Sequence, residues 1–221
     1  MIEYKKNDRG FIFLKDKIEL STKNEKEVLV KNVSHAKQFV REFGDKNKVK
    51  DQYSNFNLTL FSCDLDYDDK RLIISKLLNN IENDIILYRG FDDLELTNLL
   101  NKKLNPYLDN FNKKFNARIR KNSSIFDKNK DLNKEKFKFY LEELCNFKLT
   151  TIYKLSGISK SVVLSYFFLE QKITIFDLFE LTNIENFVQQ KKWGYVPEQK
   201  DKDKEILKIL KNISIFFKNV I

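Results

Sequence analysis

The stretch SGISKSVVLSYFFLEQKITIFDLFELTNIENFVQQKKWG, Ser156 to Gly194, decides how the chain is read. From Leu155 to Leu169 apolar side chains fall on nearly every face, which describes a helix buried in the middle of a bundle and not one lying on its surface. Thr174 with Asp177 three residues later has the pattern of a capping box, in which hydroxyl and carboxylate each satisfy an unpaired N–H of a helix's first turn. That start opens a helix predicted to run through Phe176, Phe179, Ile184 and Val188 toward Trp193, with Gly194 placed to end it.

Downstream, Ile206, Leu210, Ile213, Phe217 and Val220 recur at helical spacing and predict an amphipathic final helix. Upstream, from Asp66 onward, the chain also reads as mainly helical. Leu72, Ile73, Leu77 and Ile81 make an apolar stripe with Asp68 and Asp69 at its favourable N-terminal end. Ile85 to Tyr88 is a β-branched run that predicts a short strand, paired with the region Ala117 to Ile119. Two helical segments split at Pro106 lie between these, and a lysine-rich loop is expected from Lys121 to Lys130. The first forty residues alternate differently. Phe11 and Phe13, a polar turn at Lys15-Asp16, then Ile18 and Leu20 follow the period of two of a hairpin, and Val28 to Val30 suggests another strand. Val33, Ala36, Val40 and Phe43 return to helical spacing, with Gly44 as the residue after the helix, and Asp45 to Asn57 reads as a loop or link.

Composition excludes several function classes. The 221 residues are 42% hydrophobic and 33% charged with 5 Gly and 2 Pro, the profile of a folded, helix-rich chain. The net charge of +9 raises nucleic-acid binding as the alternative reading. Against it, only six of the 41 basic residues are arginine, the side chain suited to gripping phosphate, and the lysines are dispersed along the chain. The chain holds one histidine, His35, so triads and multi-histidine metal sites have nothing to build on. Asp64, Asp66 and Asp68 imitate the opening of a calcium loop, but Asp69 and Ser75 stand where that loop needs Gly and Glu, so the cluster reads as a helix start. Glu142 and Glu143 are helix neighbours pointing different ways. Phosphate-cradling glycine motifs are absent, and Cys63 and Cys145 read as buried, reduced thiols. The N-terminal MIEYKKNDRG carries no apolar signal core, and the longest apolar run, near Val162 to Leu169, is well short of the ~20 residues of a bilayer span. A soluble cytoplasmic protein without membrane insertion is expected.

The segment from Ser156 to Gly194 also resembles the family of assembly chaperones for the alpha subunit of ATP synthase. That family places Lys-Ser before a buried aliphatic helix, here Lys160 and Ser161, and then a helix in which an acidic residue precedes Gln and a terminal Trp-Gly, here Glu185, Gln189, Trp193 and Gly194. DIILYRG from Asp84, NPYLDNF from Asn105, FIFLKDKIEL from Phe11 and NLTLF from Asn57 are similar to further family segments, although the hairpin turn has no Gly and Phe43 stands where the family has Trp. The resemblance implies an α+β fold: a small N-terminal domain of antiparallel strands and a helix, residues 1–62, and a larger, mainly α-helical domain, residues 63–221. It implies no enzyme activity, cofactor or metal, and a monomer that binds the unassembled ATP synthase alpha subunit transiently, without nucleic acid. Glu185, Gln189 and Trp193 are the candidate partner-binding residues; packing and capping would equally explain Trp193 and Gly194.

Overall fold

A computed structural model of the protein describes residues 2–90, 92–124, 132–194 and 196–221. The chain forms two compact units, the first comprising Met1–Lys70, Leu144–Thr151 and Lys211–Ile221, the second Arg71–Glu143 and Ile152–Leu210.

In the first unit β1 (Ile2–Asn7) pairs antiparallel with β2 (Gly10–Lys15) along its whole length, from Ile2 opposite Lys15 to Asn7 opposite Gly10. Gly10 sits at φ +150°, where an added Cβ would run into the Val30 carbonyl, so the turn admits no side chain there. The expected hairpin follows, with its turn one residue later than Lys15-Asp16: β2 turns through Asp16 and Lys17, both at positive φ, into β3 (Ile18–Glu19). Two consecutive positive φ values make a turn whose twist matches the strands, achieved here without glycine. The strand expected at Val28 to Val30 is β4 (Leu29–Val30), also paired with β2. β1 is additional to the reading, its alternation hidden by the lysines and the asparagine of IEYKKN.

One sheet face packs on α1 (Val33–Phe43): Ile2, Phe13, Val28 and Val30 are buried with Ala36, Phe39 and Phe56. Phe39 is the hub, with ring centroids 4.1 Å from Phe13 and 4.8 Å from Phe56. Gly44 follows α1 at φ −72°, an ordinary right-handed conformation and not the left-handed cap. The loop expected from Asp45 to Asn57 contains α2 (Lys46–Lys50) and the start of α3 (Asn55–Asp64). Asp45 accepts from Asn47 N–H at 2.8 Å and Ser54 from Asn57 N–H at 3.2 Å, so residues that read as loop formers are N-caps. The two later segments are stitched in by polar contacts: Ser62 to Thr150 at 2.8 Å, Asn146 to the Ser62 and Leu65 carbonyls at 3.1 Å each, and Asn212 to Asp51 at 3.0 Å. Both cysteines are free, as expected; Cys63 is half-buried but Cys145 is exposed, because its position just ahead of a helix start leaves it outside the core.

The second unit takes up α4 (Tyr67–Asn80) from Arg71 onward. Its inward stripe is Ile73, Ile74 and Leu77, while Leu72 is 55% exposed; the apolar face is rotated by one residue from the expected one. Ile85–Leu87 is a 3-10 turn, not a strand. Pairing does follow it, with Asn122 in place of Ala117 to Ile119: Arg89 N–H donates to the Asn122 carbonyl and Asn122 N–H to the Leu87 carbonyl, both at 2.8 Å. The two segments expected around Pro106 are one helix, α5 (Leu94–Phe115). An interior proline costs about 3 kcal/mol, but Leu96, Leu100, Leu104, Leu108, Phe111 and Phe115 are all buried along α5, each contributing about 1.5–3 kcal/mol. Packing wins. Most of the lysine-rich stretch at Lys121 to Lys130 lies outside the described residues.

Beyond it come α6 (Glu135–Glu142) and α7 (Asn146–Ser159). The continuous helix expected from Leu155 to Leu169 breaks at Lys160, φ 58°, after which Ser161 caps α8 (Val162–Leu169) by accepting from Leu164 N–H at 3.0 Å. All eight α8 residues are buried, so the all-round apolar reading holds for this part. Phe111, Phe115 and Phe137 meet Tyr166 edge-on, with centroids 5.5, 5.1 and 6.1 Å away. The helix expected from Thr174 to Trp193 is two, α9 (Ile175–Thr182) and α10 (Ile184–Trp193), and the chain ends in α11 (Pro197–Val220) as its periodicity predicts.

Candidate functional site

The α9–α10 arm starts with both bonds of the capping box: Asp177 accepts from Thr174 N–H at 2.7 Å and Asp177 N–H donates to the Thr174 hydroxyl at 3.1 Å. Asn183 makes the break that the apolar pattern hid. Its side-chain amide donates to the Phe179 carbonyl at 2.8 Å, ending α9, while its own carbonyl accepts from Phe187 N–H at 3.0 Å and opens α10.

α10 then divides by face. Ile184, Phe187, Val188 and Lys191, at helical i, i+3, i+4 and i+7 spacing, line a groove. Lys192 forms an ion pair with Asp93, the residue that caps α5 by accepting from Glu95 and Leu96 N–H at 3.1 Å each. The Lys192 ammonium, ahead of those amides, holds the Asp93 carboxyl below its usual range. Glu185, Gln189 and Trp193 form the remaining row at i, i+4 and i+8. Gln189 donates to Glu185 at 2.9 Å, so these two are half-buried and tied to each other. Trp193 is 77% exposed and therefore does not close the core; Gly194 N–H donates to the Gln190 carbonyl at 2.9 Å and ends the helix. Leu94, beside Asp93, is 76% exposed. Each partner of the Lys192–Asp93 pair thus carries a bare apolar neighbour. Sequence reading missed Leu94 and Asp93 because their link to α10 spans 99 positions.

Two of the quoted sequence segments meet in the same unit. Asp84 of DIILYRG accepts from Val163 N–H at 2.9 Å and Ile86 N–H at 3.2 Å, and Ile85 N–H donates to the Lys160 carbonyl at 3.1 Å. The aspartate and the Lys160-Ser161 pair therefore jointly cap the buried α8. Burial pushes the Asp84 carboxyl up to about 6 despite these donors. Arg89 is likewise buried, donating to the Ile86 and Tyr88 carbonyls at 2.6 and 2.8 Å, and its guanidinium is lowered to about 10 by desolvation. Both charged groups hold backbone in place.

The acidic cluster separates into local tasks. Asp64 accepts from Asn24 at 2.9 Å, whereas Asp66 accepts from Asp69 N–H at 2.8 Å at the start of α4. Among the described residues no His, Cys, Asp and Glu side chains gather into a metal-holding group, and no helix is long and apolar enough to cross a membrane.

No family model and no curated protein matches the sequence. Solved structures do match the fold. Atp12 from Paracoccus denitrificans has a TM-score of 0.83 at 16% identity, covering 100% of this chain and 96% of that one. A single-substitution variant of that protein gives 0.84 at 16%, covering 100% and 95%. A protein from Agrobacterium tumefaciens described as a candidate chaperone gives 0.83 at 16%, covering 100% and 84%. The small antiparallel sheet with its helix, followed by a mainly helical region, is the α+β arrangement expected from the sequence, and the chain has the fold of Atp12.

Proposed function

We propose that this protein is an assembly chaperone for the catalytic head of ATP synthase, binding the unassembled alpha subunit until the beta subunit replaces it. The observation that carries the reading is the agreement in fold with Atp12 along the whole chain, reached independently of the family-like residues between Ser156 and Gly194. An isolated subunit exposes apolar interface surface worth about 25 cal/mol per Å² when buried, and such surface aggregates unless covered. Covering it calls for an exposed apolar anchor and no chemistry. Trp193 and Leu94 at the end of the α5–α10 pair supply such an anchor, and large aromatics are the side chains that most often dominate interface energetics. Glu185 and Gln189, already bonded to each other, present a preformed polar edge beside it. The protein acts by holding its client, as a monomer in the same compartment as the unassembled head.

Affinity capture from cells with the native chain as bait tests this. Enrichment of the free alpha subunit, without assembled complex, is the expected result. Absence of alpha under gentle conditions overturns the reading. Salt-sensitive affinity for a random DNA duplex, with no alpha captured, would favour nucleic-acid binding through the +9 charge instead.

A further inference from the structure

The groove on the opposite side of α10 from the Glu185 row has a volume of 760 Å³, within the range of pockets that seat several side chains. Four helices line it, and two of them do so with the same spacing. α5 contributes Leu99, Lys102, Lys103 and Pro106, and α10 contributes Ile184, Phe187, Val188 and Lys191, each an i, i+3, i+4, i+7 face of the kind that normally receives another helix. Phe176, Phe179 and Leu181 of α9 and Leu207 of α11 complete the lining.

Charge selects the occupant. Lys102, Lys103 and Lys191 are exposed on the rim, and none is in an ion pair among the described residues. Asp177 and Glu180 also line the groove, and the Asp177 carboxylate, which accepts from the N–H and hydroxyl of Thr174, both at 2.7 Å, keeps its charge. Three ammonium groups therefore stand against two carboxylates, and the groove keeps a net positive charge. Pro106 adds a polar handle: lacking an N–H, it leaves the Lys102 carbonyl without the amide that would donate to it in an unbroken helix.

We propose that this groove receives an amphipathic helical segment of the unassembled client, apolar on one face and flanked by carboxylates. Its apolar side chains seat on Leu99, Phe187 and Val188, its carboxylates lie over the three lysines, and a polar side chain donates to the Lys102 carbonyl. This rests on the chaperone reading but assigns a second contact, separate from Trp193.

The test uses the full-length chain and a dye-labelled helical peptide with leucines at i, i+3, i+4 and i+7 and glutamates on both flanks, compared with its Glu→Gln counterpart. Binding measured by anisotropy is expected to weaken at least about tenfold for the Gln peptide and for the K102E/K103E/K191E variant, both screened by salt. A Val188→Asp variant, checked for folding by circular dichroism, should lose binding to both peptides. Equal binding of the two peptides, indifference to the lysine reversal, or no binding by the native chain overturns the proposal. So does a native dimer that the reversal converts to monomer, since a second copy would then fill the groove. Capture of the alpha subunit separates the two levels. If the reversed variant captures alpha as well as the native chain does, the groove assignment falls and the chaperone reading stands. If the native chain captures none, the chaperone reading falls while the peptide arm still judges the groove.

Discussion

Taking the protein from about pH 8 to about pH 5 should cost about 2 kcal/mol of stability through one side chain, His35. The ring is 2% exposed, with Phe147 and Phe216 edge-on at centroid distances of 5.6 and 5.7 Å. Its Nε2 lies 2.7 Å from the Thr59 hydroxyl oxygen, and that hydroxyl donates to the Asn55 carbonyl at 2.6 Å. The Thr59 proton is thus committed, so Nε2 carries the histidine's proton and donates, and a second proton would have to enter on Nδ1 of a buried ring. Desolvation lowers the group from 6.5 to about 4. The sign follows from proton binding. Above 6.5 neither state is protonated; between 6.5 and about 4 the unfolded chain binds a proton that the folded one rejects, so stability falls with pH and levels off below about 4. The loss is about 2 kcal/mol by pH 5 and about 3 kcal/mol by pH 4. Urea unfolding of the native chain and of His35→Gln at both pH values isolates the contribution, since other titrating groups are common to the two. Because the chain has a single histidine, proton NMR of the ring gives its midpoint without assignment. A midpoint near 6.5, or identical pH dependence in the two proteins, would refute the reasoning.

Trp193→Ala should leave the unfolding midpoint within about 0.5 kcal/mol of the native value, since the side chain is 77% exposed, while weakening capture of the alpha subunit; unfolding curves and pull-downs read the two effects. Pro106→Ala should stabilise by about 1–2 kcal/mol, by restoring an N–H to the Lys102 carbonyl, less the chain entropy that proline removes from the unfolded state; thermal unfolding measures it. Thr174→Ala removes one half of a complete capping box and should cost about 1 kcal/mol, measured by urea denaturation. Thr59→Val leaves the His35 N–H without its acceptor in the core and should cost about 1–3 kcal/mol, most of it recovered when His35 is also replaced by Leu, in a double-mutant cycle.

The local pieces were legible in the order of residues. Period-two alternation around Phe11 and Phe13 was enough for the hairpin, the Thr174–Asp177 pair for the start of α9, and the spacing of Leu210, Ile213 and Phe217 for the final helix, because each depends on neighbours within a few residues. Where those pieces stop and what they meet followed from long-range packing. Pro106 stays inside one helix because six buried side chains outweigh a local penalty, and Asn183 divides an apolar run because its side chain finds a carbonyl to bond. Residues 144–151 and 211–221 complete the first unit through bonds to α3 and its flanks that span up to 164 positions, which no periodicity records. The same holds for the candidate site. Glu185, Gln189 and Trp193 share a face by helical spacing, but the exposure of Trp193, the link from Lys192 to Asp93 and the lysine-rimmed groove come from helices brought together by packing, a long-range term that local pattern does not contain.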